Sequence, residues 1–132
     1  MLAVRCAVVV LDAGWTKAQP GVERAVKRAA RAAIAGARRT GRRSLTVALS
    51  DDKGVRALNA RHRRQDRPTN VLSYPSGETA FLGDVVLARQ TVVREAREQS
   101  KSPADHLAHL VVHGTLHLLG YDHADDAEAE RM

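Results

Sequence analysis

The stretch SPADHLAHLVVHGTLHLLGYDH, residues 102–123, decides how this chain is read. Ser102-Pro103 is a helix start: a capping hydroxyl precedes a proline whose missing N–H is no loss in the first turn. Gly120 is the stop, a residue free to take the left-handed conformation that ends a helix. Between them Leu107, Leu110, Val111, Val112, Leu116, Leu118 and Leu119 make a helix apolar enough to be largely buried. Yet five of the six histidines of the chain fall between residues 106 and 123. At 100° per residue His106, His109, His113 and His117 lie within about 80° of one another. Several imidazoles on one buried face need partners, and a metal ion is the natural one.

Geometry limits which histidines share an ion. Residues i and i+4 stand about 6 Å apart along the axis, so two imidazoles can meet one zinc at roughly 2.1 Å. Residues i and i+8 stand about 12 Å apart, so His109, His113 and His117 cannot all reach one ion. His113 and His117 supply the pair. Past Gly120 the chain folds back through Tyr121-Asp122 and brings up His123 as the third ligand. His109 with His113 is a rival pair that leaves His123 distant. His106 and His109 are read as packing, capping or orienting residues.

Upstream, the elements alternate. Residues 3–11 are apolar and β-branched, as in a central strand. Pro20-Gly21 opens a helix to about residue 39, with Val22, Val26, Ala29, Ala30, Ala33 and Ile34 on its inner side. Arg24, Lys27, Arg28, Arg31 and Arg38 fall on the opposite side, either as a solvated face or as a stripe that tracks phosphates. Residues 44–50 alternate as a half-buried strand, and Asp51-Asp52 starts a helix to about residue 62. An arginine-rich loop with Arg61, Arg63, Arg64 and Arg67 follows. Residues 69–74 and 82–88 are two more strands around a turn at Pro75-Ser76-Gly77. A helix over 90–99 then leads into the histidine helix. The order predicts one α+β domain, residues 1–132, with a small mixed sheet packed with helices and a zincin-like metal helix near the C-terminus.

Composition narrows the function. At 132 residues the chain has room for one core. Residues 1–67 carry 16 basic and 5 acidic side chains, whereas 68–132 carry 5 and 10, so a net charge of +6 divides into +11 and −5. A basic half of that size suits a polyanion. An aromatic content of 3% argues against a platform that stacks bases. The single cysteine, Cys6, excludes a disulfide framework and a thiolate zinc cluster. No apolar run approaches the roughly 20 residues of a membrane span, and residues 7–11 are too short for a signal peptide, so a cytoplasmic protein is expected.

The run His-Gly-Thr-Leu-His-Leu-Leu-Gly-Tyr-Asp-His, 113–123, resembles the signature of the YbeY family of metal-dependent endoribonucleases. Leu58-Asn59, Arg63, the run from Pro68 to Pro75, and Leu82-Gly83-Asp84 are similar to further blocks of that family, in the same order. Tyr74 stands where phenylalanine is more usual, and family members tend to carry more C-terminal helix beyond the position of Met132. The resemblance implies His113, His117 and His123 as zinc ligands, with Arg63 and His113 at the catalytic centre. It further implies single-strand-specific cleavage of RNA, 16S rRNA 3′-end maturation on the ribosomal subunit, and ribosome quality control.

Three neutral imidazoles leave a divalent ion its full charge and an open position, which suits attack on a phosphodiester. Imidazole also suits nickel, copper and iron. Arg63 offers planar, paired donors to a phosphate. The base would be the metal's own water, Asp84 or Asp122, either of which could instead orient a histidine. A zinc peptidase places Glu directly after the first histidine; here that residue is Gly114. A non-catalytic ribosome-assembly factor with structural zinc is the rival from another class.

Overall fold

The computed structural model describes residues 1–63 and 69–121, with the backbone alone at His62 and Arg63. The elements run β1 (Leu2–Val10), α1 (Gly14–Ala18), α2 (Val22–Gly36), β2 (Gly41–Ser50), α3 (Asp52–Arg63), β3 (Val71–Pro75), β4 (Phe81–Ala88), α4 (Arg89–Glu98) and α5 (Pro103–Leu118). The four strands form one sheet in the order β1-β2-β4-β3. β1, β2 and β4 are parallel, and β3 runs antiparallel beside β4. This is the expected α+β domain with a mixed sheet.

β1 is an edge strand, not the central strand its apolar run suggested. The run is apolar because Leu2, Val4, Cys6, Val8 and Val10 pack inward against α2 and the core, while Ala3, Arg5, Ala7 and Val9 are exposed. Val and Ala satisfy either environment, so composition alone cannot place such a strand.

Helices cover the sheet unequally. On one face α2 lies over the β1 side and α5 over β3 and β4, enclosing the main core of Val26, Ile34, Leu45, Val47, Leu49, Val85, Leu87, Leu107 and Val111. α2 buries Val22, Val26, Ala29, Ala30, Ala33 and Ile34, the side its periodicity selects. On the other face α3 covers only one part, where Val55 and Leu58 meet Leu72, Tyr74, Val86 and Ala88.

The five-residue α1 escaped the sequence analysis. It is too short for a periodic signal, and it is held by Trp15, whose indole N–H donates to the Ser50 carbonyl at 2.7 Å. Asp12 ties the same segment to α4, accepting from the Gly14 N–H at 3.0 Å and from the Arg89 guanidinium at 2.5 Å.

Candidate metal centre

α5 begins and ends as its sequence dictates. The Ser102 hydroxyl accepts from the Asp105 N–H at 3.1 Å, and Pro103 occupies the first turn. At the other end Gly120 has φ 101°. Its N–H donates to the His117 carbonyl at 3.0 Å and the Tyr121 N–H to the Leu116 carbonyl at 3.1 Å, the paired closing bonds of a Schellman turn.

The helix lies so close to the sheet that one position admits no side chain. A Cβ on Gly114 would stand 2.7 Å from Val85 Cγ1 and 3.2 Å from Ser73 Oγ. Ser73 Oγ also donates to the Gly114 carbonyl at 3.3 Å. Gly114 therefore marks the sheet-facing side, and Val112 and Leu116 line a groove with Ala32, Ala33 and Gly36 of α2. At 100° per residue His113 and His117 fall on the remaining flank, turned away from α2.

That flank is more open than a wholly buried helix would give. His109 is exposed and His113 and His117 are half-buried, whereas His106 is 3% exposed. His106 is a packing residue: its Nε2 lies 2.9 Å from Glu95 Oε1, which also accepts from Asn70 Nδ2 at 3.0 Å. Glu95 was not anticipated, because nothing in α4 alone reveals that it faces α5. The His109 ring sits 4.6 Å from that of His113 and 6.3 Å from that of His106. Burial, then the Lys101 and His106 charges, lower the His109 pKa and favour its neutral form.

Among the described residues no third His, Cys, Asp or Glu completes a ligand set. The donor chemistry fits a metal nonetheless, since His113 and His117 stand one turn apart on a continuous helix, on a flank that a ligand can approach. His123 and Asp122 lie outside the described residues, as do Arg64 and Arg67. Arg63 belongs to the last turn of α3 instead of the loop expected for it, and exposed Arg61 shares that turn. α3 simply runs one residue beyond the length its pattern suggested.

Asp84 corrects one expectation. It is exposed on β4, paired in register with Thr46 and Tyr74, while the next residue, Val85, faces Gly114. Strand alternation turns Asp84 to the opposite face of the sheet from α5. It therefore neither orients His113 or His117 nor serves as their base.

These features define a class: small α+β proteins that lay a histidine-bearing helix over one side of a four-stranded mixed sheet. A family model described as "Endoribonuclease YbeY" matches residues 14–132. A protein of that name from Azorhizobium caulinodans is 49% identical, covering 95% of this chain and 83% of its own. Another from Rhodospirillum rubrum is 46% identical, covering 98% and 73%. The solution structure of TM1509 from Thermotoga maritima superposes with a TM-score of 0.63 at 26% identity, over 96% of this chain and 85% of that one. The chain belongs to the YbeY endoribonuclease family.

Proposed function

We propose that this protein is a cytoplasmic, zinc-dependent endoribonuclease specific for single strands, acting on the ribosomal subunit in 16S rRNA 3′-end maturation and in ribosome quality control. The observation that carries the reading is the His113–His117 pair on the approachable flank of α5, in a chain of this family. We assign His113, His117 and His123 to one zinc ion per chain; when bound, it supplies a Lewis acid for a phosphoryl oxygen and activates water. Arg63, leaving the end of α3, clamps the non-bridging oxygens through its planar fork as negative charge develops on them. His113, as ligand, would hold the metal where the reacting phosphate binds. With Asp84 facing away, Asp122 is the carboxylate left to take a proton.

Gly114 removes the peptidase alternative twice over. It offers no general base, and the 2.7 Å approach to Val85 leaves no room for the glutamate that a zinc peptidase carries there. The assembly-factor alternative is separated by experiment. Purified protein is incubated with labelled single-stranded and structured RNA, with and without chelator, and product ends are mapped. Chelator-sensitive cleavage of single strands, lost in His113→Ala and His123→Ala, supports the nuclease. One equivalent of zinc with no cleavage in any condition makes the metal structural and refutes it.

A further inference from the structure

The basic stripe of α2 is one wall of a hollow. Exposed Arg24, Lys27, Arg28 and Arg31, with Val4 and Cys6 of β1 as the other wall, enclose about 350 Å³. Across the same strand Arg5, Arg42 and Ser44, which alternation turns to the other face of the sheet, line a second hollow of about 600 Å³ together with Arg43. Val4 lines both, and no acidic residue lines either. Seven cations thus straddle one sheet edge.

Their charge is not neutralised within the described fold. Arg43 is held by the Thr40 and Thr79 carbonyls. Among the described residues, the side chains of Arg5, Arg24, Lys27, Arg28, Arg31 and Arg42 form neither a hydrogen bond nor a salt bridge. On α2 the pairs Arg24–Arg28 and Lys27–Arg31 are four apart, and such like-charge neighbours cost a helix about 0.2–0.5 kcal/mol each. Charge on β1 itself would discourage edge-to-edge pairing of strands. That need does not account for four cations on the adjoining helix, spread over about 10 Å of axis.

We propose that the two hollows astride β1 form an RNA-anchoring surface, distinct from the histidine flank, that binds the phosphate backbone without reading bases. RNA as the ligand rests on the endoribonuclease reading above. β1 and β3 are opposite edges of the sheet, three strand spacings or about 14 Å apart. The histidine flank lies on the β3 side, so a short oligonucleotide engaged there leaves the anchor empty. A long RNA reaches both. The anchor therefore selects for length and lowers KM for long substrates while leaving kcat alone.

The test uses the full chain and the triple variant Arg24→Gln, Arg28→Gln, Arg31→Gln, whose exposed positions leave the fold intact, as checked by thermal melting. Binding of a labelled RNA of about 25 nucleotides is measured in chelator, so that cleavage does not intervene; a dinucleotide, whose single phosphodiester can occupy only one of the two sites, serves as the short substrate. Losing three phosphate contacts should flatten the slope of log affinity against log salt by about 2 and weaken binding about 100-fold at 0.1 M salt. A second variant, Arg5→Gln with Arg42→Gln, should flatten it by about 1.4. Cleavage of the dinucleotide should keep its wild-type kcat/KM. An unchanged slope in the folded triple variant overturns the anchor, as does an equal loss on short and long RNA. If the wild type binds long RNA with this slope but never cleaves, the anchor stands and the nuclease reading falls.

Discussion

Replacing Gly114 by alanine sets two known effects against each other. In an exposed helix the change stabilises by about 1 kcal/mol, because glycine loses more backbone freedom. Here the new methyl would sit 2.7 Å from Val85 Cγ1 and 3.2 Å from both Val85 Cγ2 and Ser73 Oγ. Val85 is fully buried and β-branched, so its χ1 is restricted and it has little room to retreat. Overpacking of that kind costs about 1–3 kcal/mol. The net is a loss of up to about 2 kcal/mol, with α5 lifted from the sheet and the His113–His117 pair displaced. Urea unfolding of Gly114→Ala, Val85→Ala and the double variant measures it. Val85→Ala alone forfeits about 1.5–3 kcal/mol of burial. In its background Gly114→Ala should stabilise, giving a coupling of about 1–3 kcal/mol. A coupling below about 0.5 kcal/mol would refute the close approach of α5 to β4.

Arg63→Ala should leave melting temperature and metal content unchanged while cleavage falls about 10²–10³-fold, with Arg63→Lys rescuing only part; wild-type cleavage by Arg63→Ala would make it a bystander. Elemental analysis should find near one metal per chain, lowered in His113→Ala, His117→Ala and His123→Ala but not in His106→Ala; full retention by His123→Ala would remove it from the ligand set. Glu95→Ala strands the buried His106 ring and the Asn70 amide, and should cost about 1–3 kcal/mol in denaturant titration. Asp12 is held below the usual carboxylate range by the Arg89 hydrogen bond and the Gly14 N–H. A lowered folded pKa means stability present above the unfolded value near 3.9 and lost as pH falls through the folded one. Asp12→Asn should therefore destabilise at pH 7, with the deficit closing below about pH 3.9.

Some of this structure was legible residue by residue and some was not, for identifiable reasons. The buried side of α2 and both ends of α5 follow from local signals, namely 3.6-residue periodicity, a capping serine and a stop glycine. The edge position of β1 does not, because it depends on which strands pair, and Val4 or Val8 would suit a central strand equally well. Asp84 shows the same limit at the site. One strand reveals that its residues alternate, but not which face will receive α5. Gly114 was legible as the absence of a catalytic glutamate, and its packing role appears only when Val85 is opposite it. Arg63 could be singled out by family blocks, though its place on α3 hung on where a helix frays.

The sheet order also constrains how the chain is made. β1 and β2 are complete, with α2 between them, once residue 50 has emerged, yet the second partner of β2 is β4 and begins only at Phe81. At about 5–20 residues per second, synthesis of the intervening segment takes roughly 2–6 s. Throughout that interval β2, an internal strand of the finished sheet, presents a bare hydrogen-bonding edge to the crowded exit of the ribosome. Arg42 and Arg43 at its start and Asp51 and Asp52 after its end bracket Leu45, Val47 and Leu49 with charge. Such gatekeepers oppose pairing between nascent chains until β4 arrives.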